Sequence, residues 1–138
     1  MAMTFDTKIA VVVRDDLPTW QKLNVTAYVA SALVGSGQTQ VGENYQDGSG
    51  NLYLPMVIQP VMIYAADAPG IRKAYARAME RGMKIAIFTL DLFSTGDDIE
   101  NRAAVRAKPA DELDLVGLAL CDQKKEVDWA IKGLKFHG

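Results

Sequence analysis

Two short polar segments hold most of the side chains able to do chemistry. Residues 14–24 bring Arg14, Asp15, Asp16, Trp20, Gln21, Lys22 and Asn24 close together in the chain, and residues 91–102 bring Asp91, Ser94, Thr95, Asp97, Asp98, Asn101 and Arg102. Water-dependent cleavage of an ester or amide requires a carboxylate to accept a proton, a cation to polarise the carbonyl, and hydroxyl or amide donors. Asp91 with Thr95 or Asp16 can orient the water, while Lys22 or Arg14 polarises the carbonyl. The candidate catalytic residues are therefore Asp91, Lys22 and Asp16, and the candidate ligand contacts are Arg14, Trp20, Asn24, Thr95 and Arg102. Without cleavage, the same set describes a site that holds a small polar ligand.

Each residue type also has a structural use. Asp16 can cap a helix or fix Arg14, and Asp97 can cap the helix that follows it. Trp20 can anchor a core. Arg102 and Arg106, four apart, can belong to a solvated helix face. Asp91 stands two residues beyond an apolar run, with no proline or apolar period after it to mark a cap.

Several reaction classes are excluded. The one histidine, His137, is next to last and the one cysteine is Cys121, so neither a Ser-His-Asp relay nor a zinc site of three or four soft ligands can be assembled. No metal or cofactor is expected, and only carboxylate-bound Mg²⁺ stays open. Gly35-Ser36-Gly37 ends a helix instead of opening one, so a phosphate-cradling loop is absent. Fifteen Lys and Arg against seventeen Asp and Glu give a net charge of −2, which creates no general field toward nucleic acid or anionic lipid. The apolar runs at 9–13 and 61–66 are far shorter than the ~20 residues a membrane helix needs. Residues 1–8 lack the basic and then apolar pattern of a signal peptide, and a single cysteine suits a reducing compartment, so a cytoplasmic location is expected.

The elements that must position these groups follow from periodicity. Residues 8–13 form a continuous β-branched run suited to a central strand, and 61–65, 84–89 and 113–120 read as further strands. Helical spacing runs from about Trp20 to Val34, ended by Gly35 and Gly37. No charged residue occurs between Leu23 and Gly42, so this helix needs cover on two sides: Val25, Val29 and Leu33 on the sheet, and Trp20, Leu23, Ala27, Ala30 and Val34 against a second layer or subunit. A turn cluster at 47–51 marks a hairpin. Asp67, Pro69 and Gly82 bound a second helix with Ile71, Tyr75, Ala78 and Met79 on its apolar stripe. Residues 98–107 and 123–131 complete the helices, the last presenting Val127 and Ile131 to the core, before a tail at 134–136. The order predicts one domain over 1–138, an α/β fold with a three-layer α/β/α arrangement and a mixed β-sheet. If the 8–13 and 84–89 strands are parallel neighbours, the two polar segments face each other beyond the strands' carboxyl ends, between the first and third central strands.

Residues 8–28 resemble the opening of a mainly bacterial family, the domain-of-unknown-function family two thousand. Tyr53-Leu54-Pro55-Met56, Gln59-Pro60, residues 112–117 and Lys132-Gly133-Leu134 are similar to later segments of it. The resemblance implies a peptidyl-tRNA hydrolase II-like fold, often dimeric, and brings no reaction with it. Arg14, Asp16 and Leu17 match the Arg-x-Asp-Leu that ends the first strand of those hydrolases. Their Gly-Lys pair falls on Lys22 and Leu23, and their helix Gln and His fall on Ala27 and Ala30. Asp91 and Thr95 keep the ends of an Asp-Ala-Gly-x-Thr motif whose centre is replaced by Leu92 and Phe93. With half the hydrolase site substituted and no basic surface, tRNA is disfavoured as a partner and a small molecule favoured. The leading expectation is a hydrolase-like or ligand-binding protein. The rival is a non-catalytic binding or regulatory module that is a homodimer through the uncharged first helix.

Overall fold

The computed structural model describes residues 3–138. Residues 9–13 are aliphatic without interruption because strand β1 (Thr7–Arg14) lies in the middle of a five-stranded sheet with both faces covered. Alternate side chains serve alternate faces. Ile9, Val11 and Val13 pack under helix α1 (Thr19–Gly35) against Val25, Val29 and Leu33. Ala10 and Val12 belong to the opposite core, where helix α2 (Ala68–Glu80) supplies Ile71, Ala74 and Ala78 and helix α4 (Lys124–Ala130) supplies Val127 and Ala130, with Ile131 just beyond it. Helices on both faces of the sheet make the layering α/β/α. Among the described residues, no helix is long and apolar enough to cross a membrane.

The sheet order is β5 (Ile85–Thr89), β6 (Leu115–Gln123), β1, β4 (Val61–Ala66), β7 (Lys135–Phe136). β1 and β4 are parallel, whereas β6 runs antiparallel to both β1 and β5, and β7 antiparallel to β4. The carboxyl ends of β1, β4 and β5 therefore share one rim with the start of β6. The expectation that the 8–13 and 84–89 strands are neighbours is corrected: they point the same way, but β6 is inserted between them. β6 claims the inner place because residues 115–121 are buried without a break, while Ile85, Ala86 and Ile87 of β5 are only half-buried at the sheet edge. The tail also does more than trail, since β7 stacks Phe136 on Tyr64 with ring centroids 4.8 Å apart.

The helix boundaries have local causes. α2 starts where Asp67 accepts the Gly70 N–H at 2.7 Å, and helix α3 (Asp98–Arg106) starts where Asp97 accepts the Glu100 N–H at 2.8 Å. α1 and α2 end in left-handed glycines, Gly37 and Gly82, each followed by an amide reaching back to Leu33 or Ala78. α1 has no side-chain cap at its start, where Pro18 holds the capping position. Packing holds it instead, and the closest approach is at Gly117 of β6, where a Cβ would stand 2.2 Å from Val25 Cγ1.

The outward side of α1 is bare. Leu23, Ala27 and Val34 are exposed, while Trp20 and Tyr28, exposed as well, meet the rings of Phe93 and Phe88 at one margin of the helix. The second cover that its composition calls for is thus supplied only at that margin by the described residues. On α2, Met79 is half-exposed and leaves the apolar stripe to Ile71, Ala74 and Ala78, with Tyr75 at its margin.

The hairpin of β2 (Tyr45–Gln46) and β3 (Leu52–Tyr53) is organised by one carboxylate. Asp47 accepts from Asn51 Nδ2 at 3.0 Å, Tyr53 Oη at 2.8 Å, and the Asn51 and Ser49 amides at 3.0 and 2.9 Å. Those donors, the Asn51 side chain foremost and then Tyr53, lower its pKa to about 2. A carboxyl whose folded value is depressed contributes stability above its unfolded value near ~4, and that contribution fades as pH falls toward the folded one. We expect the Asn51 side-chain and Tyr53 ring resonances to titrate together between pH 4 and 2, and Asp47→Ala to show the low-pH spectrum already at pH 7. Hairpin shifts indifferent to both changes would contradict this.

Candidate functional site

Arg14 closes β1 and its side chain is 12% exposed. Nε and Nη2 donate to the two oxygens of Asp16 at 2.8 and 3.0 Å, and Nη1 donates to Asp114 at 2.8 Å and to the Leu115 carbonyl at 3.2 Å. This fork ties β1 to the start of β6. Arg14 holds the Asp16 carboxyl below its ordinary range, with Lys22 adding a smaller pull. A carboxylate so stabilised is a poor proton acceptor. Asp16 therefore does what one of its alternatives proposed, fixing Arg14, and does not cap α1.

Asp91 lies in the 3₁₀ turn Leu90–Ser94 and pairs with Lys108 Nζ at 2.8 Å, which raises the lysine's pKa. The same rim is stitched by the Leu90 N–H donating to the Asp114 carbonyl at 2.9 Å. Arg14, Asp16, Asp114, Asp91 and Lys108 thus lie along one rim in paired charges, with each proposed catalytic carboxylate already occupied by a cation.

The concave surface lies beside that network. A cleft of about 400 Å³ opens between α1 and the turn linking β5 to α3. Trp20, Asn24 and Tyr28 line it from successive turns of α1, four residues apart. Phe88, Leu92 and Phe93 form its apolar floor, and Thr95, Gly96, Asp97, Asp98 and Asn101 its other lip. The rings make a continuous row: Trp20 meets Phe93 edge-on at 5.7 Å, Phe93 meets Phe88 at 5.0 Å, and Phe88 meets Tyr28 at 5.6 Å. Thr95 Oγ1 contacts the Leu92 carbonyl at 2.9 Å and the Asn101 side-chain amide, which fixes both groups at the lip. Among the described residues, the acidic side chains lining the cleft are Asp97, committed to its cap, and Asp98, paired with Arg102 at 2.8 Å.

Of the expected ligand contacts, Trp20, Asn24 and Thr95 line this cleft. Arg14 is spent on the rim, and Arg102 reaches Asp98 from an exposed helix face. Lys22, half-buried on α1, and Asp91 and Asp16 are not among the cleft's lining residues, so the three candidate catalytic groups are not assembled around it. Asn101 of the second polar segment lines the cleft too, as do Tyr28, Phe88 and Phe93, which were not anticipated. The spacing Trp20, Asn24, Tyr28 and the two phenylalanines flanking the 90–92 turn were signals that pointed to them. Among the described residues, no group of three or more His, Cys, Asp or Glu side chains is placed to hold a metal ion.

A mixed sheet sandwiched by helices, with an aromatic cleft beside the carboxyl ends of its strands, makes the molecule an α/β domain with its concave surface at that rim. Residues 7–138 match the family described as protein of unknown function (DUF2000), and the chain belongs to that family. It is also similar to a solved structure, the protein of unknown function Atu0240 from Agrobacterium tumefaciens strain C58. The two are 43% identical with a TM-score of 0.93, over 98% of this chain and 100% of that one. No curated protein matches the chain.

Proposed function

We propose that this protein binds a small, flat, neutral or cationic ligand in the cleft between Trp20 and the 92–101 segment, and does so without cleaving it. The observation that supports the reading is the row of four rings, Trp20, Phe93, Phe88 and Tyr28, in a space the size of a small ligand site. A planar group gains stacking and apolar burial there, Asn24 and Asn101 serve its polar edge, and the aspartates at the lip disfavour an anion. Hydrolysis would need a free base, whereas Asp16 and Asp91 are both paired.

Benzylamine and benzoate, alike in shape and opposite in charge, test this by saturation-transfer NMR. Benzylamine is expected to bind saturably and benzoate not, with Trp20→Ala weakening the amine at least tenfold. Trp20 is largely exposed, so its removal leaves the core intact. Equal binding of both probes, or unchanged binding in the variant, overturns the reading. We read the fold as peptidyl-tRNA hydrolase II-like, on Arg14, Asp16 and Leu17 closing β1 and Asp91 and Thr95 following β5. The acidic lip argues against a tRNA phosphate backbone in the cleft.

One further observation favours a homodimer through α1. Leu23 is 67% exposed on a helix face without charge. A stable dimer buries about 800 Å² per partner, so an α1 interface of that size would extend over the exposed Ala27 and Val34 as well. Sedimentation at micromolar concentration is expected to give a dimer that Leu23→Glu converts to monomer. A monomeric wild type would end this reading and leave the cleft proposal standing.

A further inference from the structure

A second concave surface lies on the opposite face of the sheet, and its charge is opposite too. A pocket of about 340 Å³ is walled by the first turns of α2 and by the turn between α4 and β7. Lys73 and Arg77, four apart on α2, face Lys132 across it. Lys73 and Lys132 form no ion pair among the described residues. Arg77 is held in place, with Nη1 donating to the Lys132 carbonyl at 3.0 Å and its guanidinium 6.0 Å from the Trp129 ring. The one acid in the lining, Asp67, has an oxygen committed to the Gly70 N–H as the cap of α2. Beyond that capping carboxylate the first turn of α2 carries no acidic residue, so three cations face one acid in the lining.

A protein of net charge −2 thus gathers three cations around one hollow, one of them oriented by its neighbours. We propose that this pocket is a binding site for a small dianion of the phosphate monoester class. Lys73 and Lys132 supply mobile ammonium donors and Arg77 the fixed guanidinium edge, which together suit a tetrahedral, doubly charged group. The site is independent of the aromatic cleft, which lies under α1 and repels such a ligand.

The test is a titration of the full chain with inorganic phosphate at low ionic strength, read by calorimetry and by the indole N–H resonances of Trp129 and Trp20. Saturable binding that moves Trp129 and leaves Trp20 still is expected, weakening as chloride rises. The variant Lys73→Ala/Lys132→Ala should melt with wild type and bind at least tenfold more weakly. Succinate, doubly charged but not tetrahedral, should bind more weakly than phosphate. Non-saturable heats, movement of Trp20 instead of Trp129, succinate binding as tightly as phosphate, or an unaffected double variant overturns the assignment.

Discussion

Gly117→Ala will destabilise the protein by about 3 kcal/mol, a large loss for one methyl group. The added Cβ would stand 2.2 Å from Val25 Cγ1 and 3.2 Å from Phe88 Cβ. Neither neighbour can give way cheaply. Val25 is fully buried between α1 and the sheet, and Phe88 is buried and in contact with two other rings. The helix must lift from β6, and because α1 and Phe88 both line the cleft, its width changes as well. Thermal unfolding is expected to fall by roughly 10 °C, given the few degrees per kcal/mol usual for domains of this size. Pairing the change with Val25→Ala should recover part of the loss, since it removes the methyl in the way. A Gly117→Ala protein melting at the wild-type temperature would mean that α1 does not press on β6.

Arg14→Ala is the second large effect, expected at about 2 kcal/mol at neutral pH. The substitution removes the fork between Asp16, Asp114 and the Leu115 carbonyl. A fully buried pair broken in this way costs about 3–5 kcal/mol, but both carboxylates here keep access to water, at 60% and 44% exposure, which lowers the figure. The pH dependence carries a definite sign. Asp16 has a depressed folded pKa, so its share is present above the unfolded value near ~4 and disappears as pH drops through the folded one. Urea unfolding should therefore show the wild type and Arg14→Ala far apart at pH 7 and closer at pH 3. A gap that stays constant would mean the guanidinium acts by packing alone.

Much of the fold was legible because its signals are local. The unbroken run at 9–13 required cover on both faces, and β1 has it. Asp67, Asp97, Gly37 and Gly82 bound helices through hydrogen bonds or backbone angles that one residue type favours, and all four act as their identities suggest. The missing charge of α1 correctly separated Val25, Val29 and Leu33 from the outer Trp20, Leu23 and Val34.

Pairings across the chain were not legible. Nothing within residues 84–89 says that an antiparallel strand from 115–123 will lie between them and β1, since ladder order depends on how whole strands compete for the middle. Arg14 finds Asp114 a hundred positions away, and Asp91 finds Lys108 across a helix, so two residues suited to catalysis by type meet charged partners that their own segments do not reveal. Trp20, Asn24 and Thr95, singled out by side-chain chemistry, line the cleft, whereas Phe88, Phe93 and Tyr28, which also line it, were not singled out because rings near a strand end read as core until the groove between them is visible.

The inserted strand also governs when the cleft can come into being. β1 meets β6 with Thr7 opposite Gln123 and Val13 opposite Gly117, contacts more than a hundred positions apart, so the closing step carries a heavy loop-entropy cost and folding is slow for a chain of this length. Until residues 115–123 have left the ribosome, β5 has no ladder partner, and the turn bearing Phe93 hangs from a strand held only by side-chain contacts to α1. One wall of the groove is therefore made early and the other only at the end. Nascent chains released before residue 115 should bury α1's inner side poorly and should be prime clients for chaperones.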